Sequence, residues 1–322
     1  MRLLVSDNQD PYFNLSSEEY LLKNSNEDIL LLYINEPCIV VGKHQNLLSE
    51  INLLFAIENN IKLARRISGG GTVYQDLNNI NFSFIQNCSN VEKISFEKYT
   101  IPILNALNDL GLNAYFSERH DILIDNMKVS GNAMHVYRNR VLSHGTLLYH
   151  TDLNNLSLAL KNNPEKYIDK SIKSVRSKVT NISNYLPTVF STDKFLKIIL
   201  YKILSQSERS VLENLNDEEI QKISILSNEK FQSWNWIYGY SPKYVFSNSF
   251  QYGSSLIKFE LEVQKGIIKN IESNSNDVDQ MLFNSLIDER HDFLSIYGKL
   301  NKNESLNSQA RANLIDLCCH FF

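Results

Sequence analysis

Three consecutive glycines, Gly69, Gly70 and Gly71, stand between two strand-like segments in the run ARRISGGGTVYQD at residues 64–76. Glycine loses more conformational freedom than any other residue in a regular element, so three together mark a backbone that turns sharply or is approached closely. The run fits neither G-x-G-x-x-G nor G-x-x-x-x-G-K-[ST], so neither common nucleotide cradle explains it. A Ser68-Gly-Gly-Gly turn still offers several backbone N–H groups to an anion or carboxylate, and Arg65 and Arg66 add charge and a bidentate fork. The competing reading is a tight inter-strand turn with two solvated arginines. In a strand those arginines point to opposite faces, which lets at most one enter a pocket directly.

At 322 residues the chain can bury one large core and a smaller one. Lys+Arg 32 against Asp+Glu 36 gives a net charge of −4, which argues against a general nucleic-acid or membrane-surface binder and makes any anion site local. Cys38, Cys88, Cys318 and Cys319 show no metal-like spacing and suit a reducing compartment. The opening MRLLVSDNQD has too short an apolar run for a signal peptide, and no segment reaches the ~18 apolar residues of a membrane span. A cytoplasmic protein is expected.

Residues 15–22 and 48–59 read as helices; 29–34 and 38–43 read as strands in a hairpin-like arrangement. GTVYQD and INFSFIQN are two strands joined at 77–79. A helix over 96–110 stops at Gly111, and two hairpins turn at Asp125-Asn126 and Arg138-Asn139. Residues 162–181 look like a long adaptable loop, and helices resume over 192–204 and 217–224. FSNSFQYGS, SLIKFELEVQKG and IIKNIESNS suggest a small antiparallel sheet turning at Lys265-Gly266, followed by helices. The fold class is α+β, with mixed, largely antiparallel sheets and flanking helices. Residues 1–243 are expected as the main domain and 244–322 as a small α+β accessory domain.

Two further stretches carry chemistry. KVSGNA (128–133) sets Lys128 in an apolar strand; a snorkelling surface lysine is the bland reading, while a buried one supplies a compact cation where charge develops. RVLSHGTLLYH holds His144 and His150, without a zinc spacing, and no G-x-S-x-G element is present.

Taken in order, DPYFNLSSEE, VGKHQN, ARRISGGGTVYQD, NINF, KVSGNA, HGTLL, KSVRSKVTNI and SWNWIYGYSP resemble the lipoate–protein ligase A family, within the biotin/lipoate ligase superfamily. The resemblance implies a two-step reaction: lipoate and ATP form lipoyl-AMP with release of pyrophosphate, and the lipoyl group passes to one lysine of an acceptor. Lys128 matches the essential lysine. Arg66, Ser68, Gly69, Gly70, Gly71, Val73, Tyr74, Gln75, Asp76 and Asn81 match the segment that wraps the acyl-adenylate. Ser130, Gly131 and Ala133 match the wall beside Lys128, His144 and Gly145 a bordering segment, and Val175, Arg176, Val179 and Thr180 an adenylate-binding loop. ATP and Mg2+ are the implied cofactors, with lipoate as substrate. The implied partners are apo lipoyl domains of 2-oxoacid dehydrogenase E2 subunits and glycine-cleavage H protein, with no nucleic acid or membrane and a monomeric chain.

Gln75 departs from the pattern, which usually has histidine there; glutamine exchanges hydrogen bonds but carries no proton or charge. Two alternatives share the fold. An octanoyl- or lipoyl-transferring enzyme needs a reactive cysteine beside the pocket, and no cysteine lies between Cys88 and Cys318. A lipoyltransferase would use preformed lipoyl-AMP.

Overall fold

The computed structural model describes residues 1–88, 95–206, 210–252, 255–274, 282–303, 306 and 311–322. The last residues of FSNSFQYGS and of IIKNIESNS lie outside the described residues. Two compact units form: residues 1–43, 60–158 and 174–232 make the first, and residues 44–59, 159–173 and 233–322 the second.

The first unit is built on an eight-stranded sheet in the order β12-β1-β2-β6-β10-β9-β8-β7. These strands are β1 (Arg2–Val5), β2 (Ile29–Tyr33), β6 (Asn79–Asn87), β7 (Ala114–Phe116), β8 (Ile122–Ile124), β9 (Met127–Tyr137), β10 (Arg140–Leu148) and β12 (Val211–Glu213). Strand alternation sorts the two faces of β6. Ile80, Phe82 and Phe84 enter a core closed by helices Phe96–Asn108 and Thr192–Ser205, through Ile103, Leu107, Phe195 and Ile199. Ser83 points the other way, toward helix Pro11–Asn24. The tight turns obey their sequence signals: Asp125 and Asn126 both take positive φ between β8 and β9, as does Arg138 between β9 and β10.

A three-stranded sheet, β4-β3-β5, stands apart, formed by β3 (Cys38–Val41), β4 (Lys62–Arg65) and β5 (Val73–Gln75). The expected hairpin of 29–34 with 38–43 is therefore corrected. β2 pairs with β1 and β6, whereas β3 pairs in parallel with β4 and antiparallel with β5. Residues 34–37 lead from one sheet to the other, and Pro37, which has no N–H to donate, precedes β3. GTVYQD and INFSFIQN divide in the same way: β5 belongs to the small sheet, β6 to the large one. The helix expected over 48–59 is two short ones, Leu47–Glu50 and Leu53–Glu58, the second capped by Asn52.

The second unit holds a four-stranded antiparallel sheet in the order β11-β13-β14-β15, from β11 (Tyr167–Asp169), β13 (Tyr244–Tyr252), β14 (Ser255–Gln264) and β15 (Ile267–Ser273). The stretch expected as loop thus donates a strand. Lys265 and Gly266 both have positive φ. In this unit His291 is buried, accepting from Tyr244 Oη at 2.6 Å and donating to the Phe321 carbonyl at 2.6 Å. Burial pulls its pKa down from 6.5 to about 4. A histidine depressed in the folded state stabilises it above its unfolded pKa, and that contribution is lost as pH falls through the folded value. Stability of this unit is expected to drop by about 2 kcal/mol between pH 7 and pH 5. Urea titrations followed by fluorescence of Trp234 and Trp236, both in this unit, check it; His291→Gln should flatten the dependence.

Candidate adenylate-forming site

The glycine run bridges the two edges of the small sheet. It leaves β4, crosses the end of β3 and enters β5, fixed there by Arg66 N–H to Val41 O at 3.1 Å and Lys43 N–H to Ser68 O at 2.8 Å. Gly70 has φ +89°, which a residue with a Cβ adopts only under strain, and a Cβ there would sit 3.0 Å from Arg66 Nη2 and 3.7 Å from the Ala133 methyl. Gly71 runs along Ser174, whose hydroxyl accepts from Thr72 N–H at 2.9 Å. Among the described residues, the amides of Gly69, Gly70 and Gly71 donate to no protein group.

Both arginines are buried, so neither forms a solvated face. Arg65 donates to the carbonyls of Gly42 and Lys43. Arg66 donates from Nε to Ser68 Oγ at 3.0 Å, from Nη1 to Val40 O at 3.1 Å, and from Nη2 to both Gly69 O and Gly71 O at 2.7 Å. Burial lowers its pKa to about 10, opposed by Glu18 and Tyr33, so it stays charged at neutral pH. Its fork turns the loop carbonyls inward on itself, which leaves the loop with its unbonded amides.

Lys128 lies where β9 pairs with β8. The register shifts between Ile122 and Leu123, opposite Ser130 and Lys128, a bulge of the kind that re-aims a side chain. Its Nζ is 3.0 Å from Asp121 Oδ1, and its side chain is 24% exposed, reachable but not free in solvent. Gly131 makes the room: a Cβ there would fall 2.9 Å from both Lys128 Cε and Nζ. Gly131→Ala is therefore expected to fold normally, because the flexible lysine end can move aside, yet to lower adenylate formation about tenfold or more by misplacing the cation. Circular dichroism and pyrophosphate release together check this. Gly145 serves packing instead, since its Cβ would meet Asn132 Oδ1 at 2.3 Å and Phe82 Cζ at 2.6 Å.

Residues 174–180 run from the glycine loop to Lys128. One end is the Ser174 contact; the other is Lys128 N–H to Lys178 O at 2.9 Å and Thr180 N–H to Lys128 O at 3.0 Å. Val175 and Arg176 are exposed, Val179 half-buried and Thr180 buried. Beyond Thr180, Asn181 Nδ2 donates to Thr151 O at 2.9 Å, and Asp152 N–H donates to Asp76 Oδ2 at 2.8 Å. Asp76 also accepts from Asn78 N–H, and desolvation raises its pKa. Among the described residues, four buried polar atoms in this neighbourhood have no partner: Asn79 Oδ1, Asn81 Nδ2, Thr151 Oγ1 and Asn181 Oδ1. Unmet buried polar atoms cost about 1–3 kcal/mol each and call for an explanation, of which a bound ligand is one.

Three of the sequence candidates are engaged by protein groups. Gln75 is buried, its Oε1 accepting from Asn35 Nδ2 at 2.7 Å, while Asn14 Nδ2 donates to Asn35 Oδ1 at 2.8 Å. It takes part in a buried amide chain, with Cys38 Sγ 3.7 Å from the same oxygen. Tyr74 is buried and desolvation raises its phenol to about 12. Ser130 is buried beside Asn132. Sequence reasoning did not single out Asn79, Asp121, Thr151, Ser174, Asn181 or Glu18; Asn79 stood in NINF, Ser174 and Asn181 in KSVRSKVTNI and Glu18 in DPYFNLSSEE, whereas Asp121 and Thr151 stood in none of the noted stretches.

Comparison with known proteins decides the family. A model of the lipoyl protein ligase A/B catalytic domain matches residues 10–204. Lipoate–protein ligase 1 of Staphylococcus aureus strain Mu50 is 40% identical over 310 residues, 94% of this chain and 94% of that protein. The chain belongs to the lipoyl protein ligase A/B family. Lipoate–protein ligase LplJ of Bacillus subtilis strain 168 is likewise 40% identical, over 83% of each chain. A crystal structure of P. falciparum LipL1 in complex with lipoate superimposes with a TM-score of 0.61, at 26% identity, covering 98% of this chain and 100% of that one. Lipoate–protein ligation is the activity that goes with this membership, and the α+β fold is that of these ligases.

Proposed function

We propose that the chain activates lipoate with ATP and transfers the lipoyl group to a lysine of apo lipoyl domains. The observation that carries this reading is the pairing of three unbonded glycine amides with Lys128, joined through residues 174–180. A carboxylate does not acylate an amine without activation, so a ligase must first make the acid a good leaving-group ester. A lipoate carboxylate oxygen attacks the α-phosphorus of ATP, the Pα–O–Pβ bond breaks, and pyrophosphate leaves with the electron pair. Two anions meet in that step. Lys128 places a cation at the junction, and the glycine amides hold phosphate oxygens in a fixed array. In the second step the acceptor amine attacks the acyl carbon, the bond to AMP breaks, and the ammonium proton is lost.

Among the described residues no three His, Cys, Asp or Glu side chains gather as a metal set. Mg2+ needs less, since it commonly binds through one or two carboxylates and substrate phosphates. Asp121 and the ATP phosphates would hold it, and it would supply charge neutralisation at the leaving pyrophosphate. Site roles extend to Arg66 as the clamp of the loop, Asn79 and Asn81 as partners of the nucleotide, and Val175 to Thr180 as a covering strap. Residues 1–243 carry the chemistry in this proposal and 244–322 are accessory. E2 lipoyl domains and H protein are the proposed acceptors, the working form is a monomer, and the site of action is the cytoplasm; among the described residues no helix is long and apolar enough to cross a membrane.

The thioester alternative finds no support in Cys38, which is buried with its thiol pushed up by desolvation. Cys88 follows β6 at the end away from Asn81. Pyrophosphate release from ATP that requires lipoate, in the absence of any acceptor, tests the activation step; release independent of lipoate, or none, would count against it.

A further inference from the structure

Glu18 takes no part in the reaction above, yet it is fully buried at the centre of a continuous hydrogen-bond chain that ends on the glycine loop. It stands on helix Pro11–Asn24 and faces three strands of the large sheet. Its carboxylate accepts from Tyr33 Oη at 2.9 Å, from Ser83 Oγ through a short contact, and meets His144 Nδ1 with both oxygens at 2.9 Å. Desolvation pushes its pKa up, but His144, Ser83 and Tyr33 outweigh that and hold it below the ordinary glutamate value, so the carboxylate is ionised. An ionised carboxylate accepts only, which makes His144 Nδ1 a donor. At the other side of the ring, Nε2 lies 2.6 Å from Ser68 Oγ, which also accepts from Arg66 Nε.

With Nδ1 protonated and Nε2 bare, every donor in the chain points the same way: Arg66 to Ser68, Ser68 to His144, His144 to Glu18. With the other tautomer the histidine would donate to Ser68, and the Ser68 hydroxyl would have only the 3.5 Å contact to Gly69 O left. A carboxylate that fixes a histidine tautomer, so that the far nitrogen acts on a serine, is a known physical device for holding orientation. Ser68 is fully buried, so here the chain ends on the loop and not on a nucleophile.

We propose that Glu18 is a positioning residue for the glycine loop: by holding His144 as the Nδ1–H tautomer, it lets Ser68 give its proton to Nε2, keep a lone pair for Arg66, and so seat the Arg66 clamp on the Gly69 and Gly71 carbonyls. The kinetic consequence rests on the functional reading above; the structural one does not. Loss of the acceptor oxygen facing Nδ1–H unseats the clamp and weakens ATP binding more than it slows turnover.

The test uses full-length protein labelled with 15N. In the wild type at neutral pH, His144 is expected as the neutral Nδ1–H tautomer; an Nε2–H tautomer or an imidazolium overturns the proposal outright. Glu18→Ala should lose that tautomer, shift the amide resonances of Gly69, Gly70 and Gly71, and raise KM for ATP at least tenfold with kcat within threefold. Glu18→Gln, which keeps an oxygen for Nδ1–H, should retain the tautomer and stay within threefold of wild type in both constants. A Glu18→Ala protein with unchanged loop resonances and KM, or a Glu18→Gln protein as impaired as Glu18→Ala while keeping the tautomer, overturns it. If wild-type protein forms no adenylate from ATP, the functional reading fails alone, and the tautomer and loop resonances still judge Glu18.

Discussion

Replacing Lys128 by alanine is expected to lower lipoate-dependent pyrophosphate release by about 10²- to 10³-fold, the loss seen when one preorganised charge or donor is removed from a developing anion. The fold should survive. The ion pair with Asp121 is partly exposed, and pairs of that kind contribute about 1 kcal/mol or less. Lys128→Arg is expected to recover little: the space beside Gly131 fits a compact ammonium, and a planar guanidinium puts its charge elsewhere. Pyrophosphate release measured beside thermal unfolding separates the outcomes. Near wild-type release from Lys128→Ala would remove this residue from the chemistry, and a collapse of the melting transition would recast it as structural.

Arg66→Ala is the second large effect, and it differs in kind. Four hydrogen bonds from one buried guanidinium reach Ser68 and the carbonyls of Val40, Gly69 and Gly71. Charge-assisted bonds of this sort contribute about 1.5–3 kcal/mol each when made, and they are not additive. The expected loss is about 3–5 kcal/mol of stability in the first unit, together with a loop that no longer presents its amides. Arg66→Lys should be nearly as damaging, because three donors on one nitrogen cannot reach points spread around a planar fork. Denaturant titration and KM for ATP, measured on both variants, check it. A stable Arg66→Lys enzyme with ordinary KM would mean that charge alone, and not the fork, is what the loop requires.

Much of the strand framework was legible because its signals are local. Asp125-Asn126 and Lys265-Gly266 are turns that both sequence and backbone dihedrals mark. The parallel pairing of β3 with β4 was not legible, since it depends on which sheet accepts a strand and no local residue encodes that. Helix Pro11–Asn24 begins four residues earlier than its apolar residues suggest: Asn14, Ser16, Ser17 and Glu18 are all buried polar positions, so no apolar stripe marks the first turns. Within the site, Lys128 was visible as a charge inside an apolar strand and the glycines as an entropic anomaly. The inward aim of Gln75 and the orphaned atoms of Asn79, Thr151 and Asn181 were not visible, because side-chain direction and partner count exist only once the strands are packed. The chain of hydrogen bonds from Glu18 to Arg66 joins residues far apart in sequence and has no sequence signature at all.

A ligase of this kind completes both half-reactions. An apo E2 lipoyl domain and an apo H protein, each incubated with the enzyme and lipoate, with and without Mg-ATP, and separately with synthetic lipoyl-adenylate, are read by intact mass. One lipoyl group is expected on the acceptor from lipoate only when ATP is present, and from the adenylate without ATP. Modification from the adenylate alone would contradict the activation step and leave a transferase, with Lys128 and the glycine loop reassigned to binding a finished intermediate.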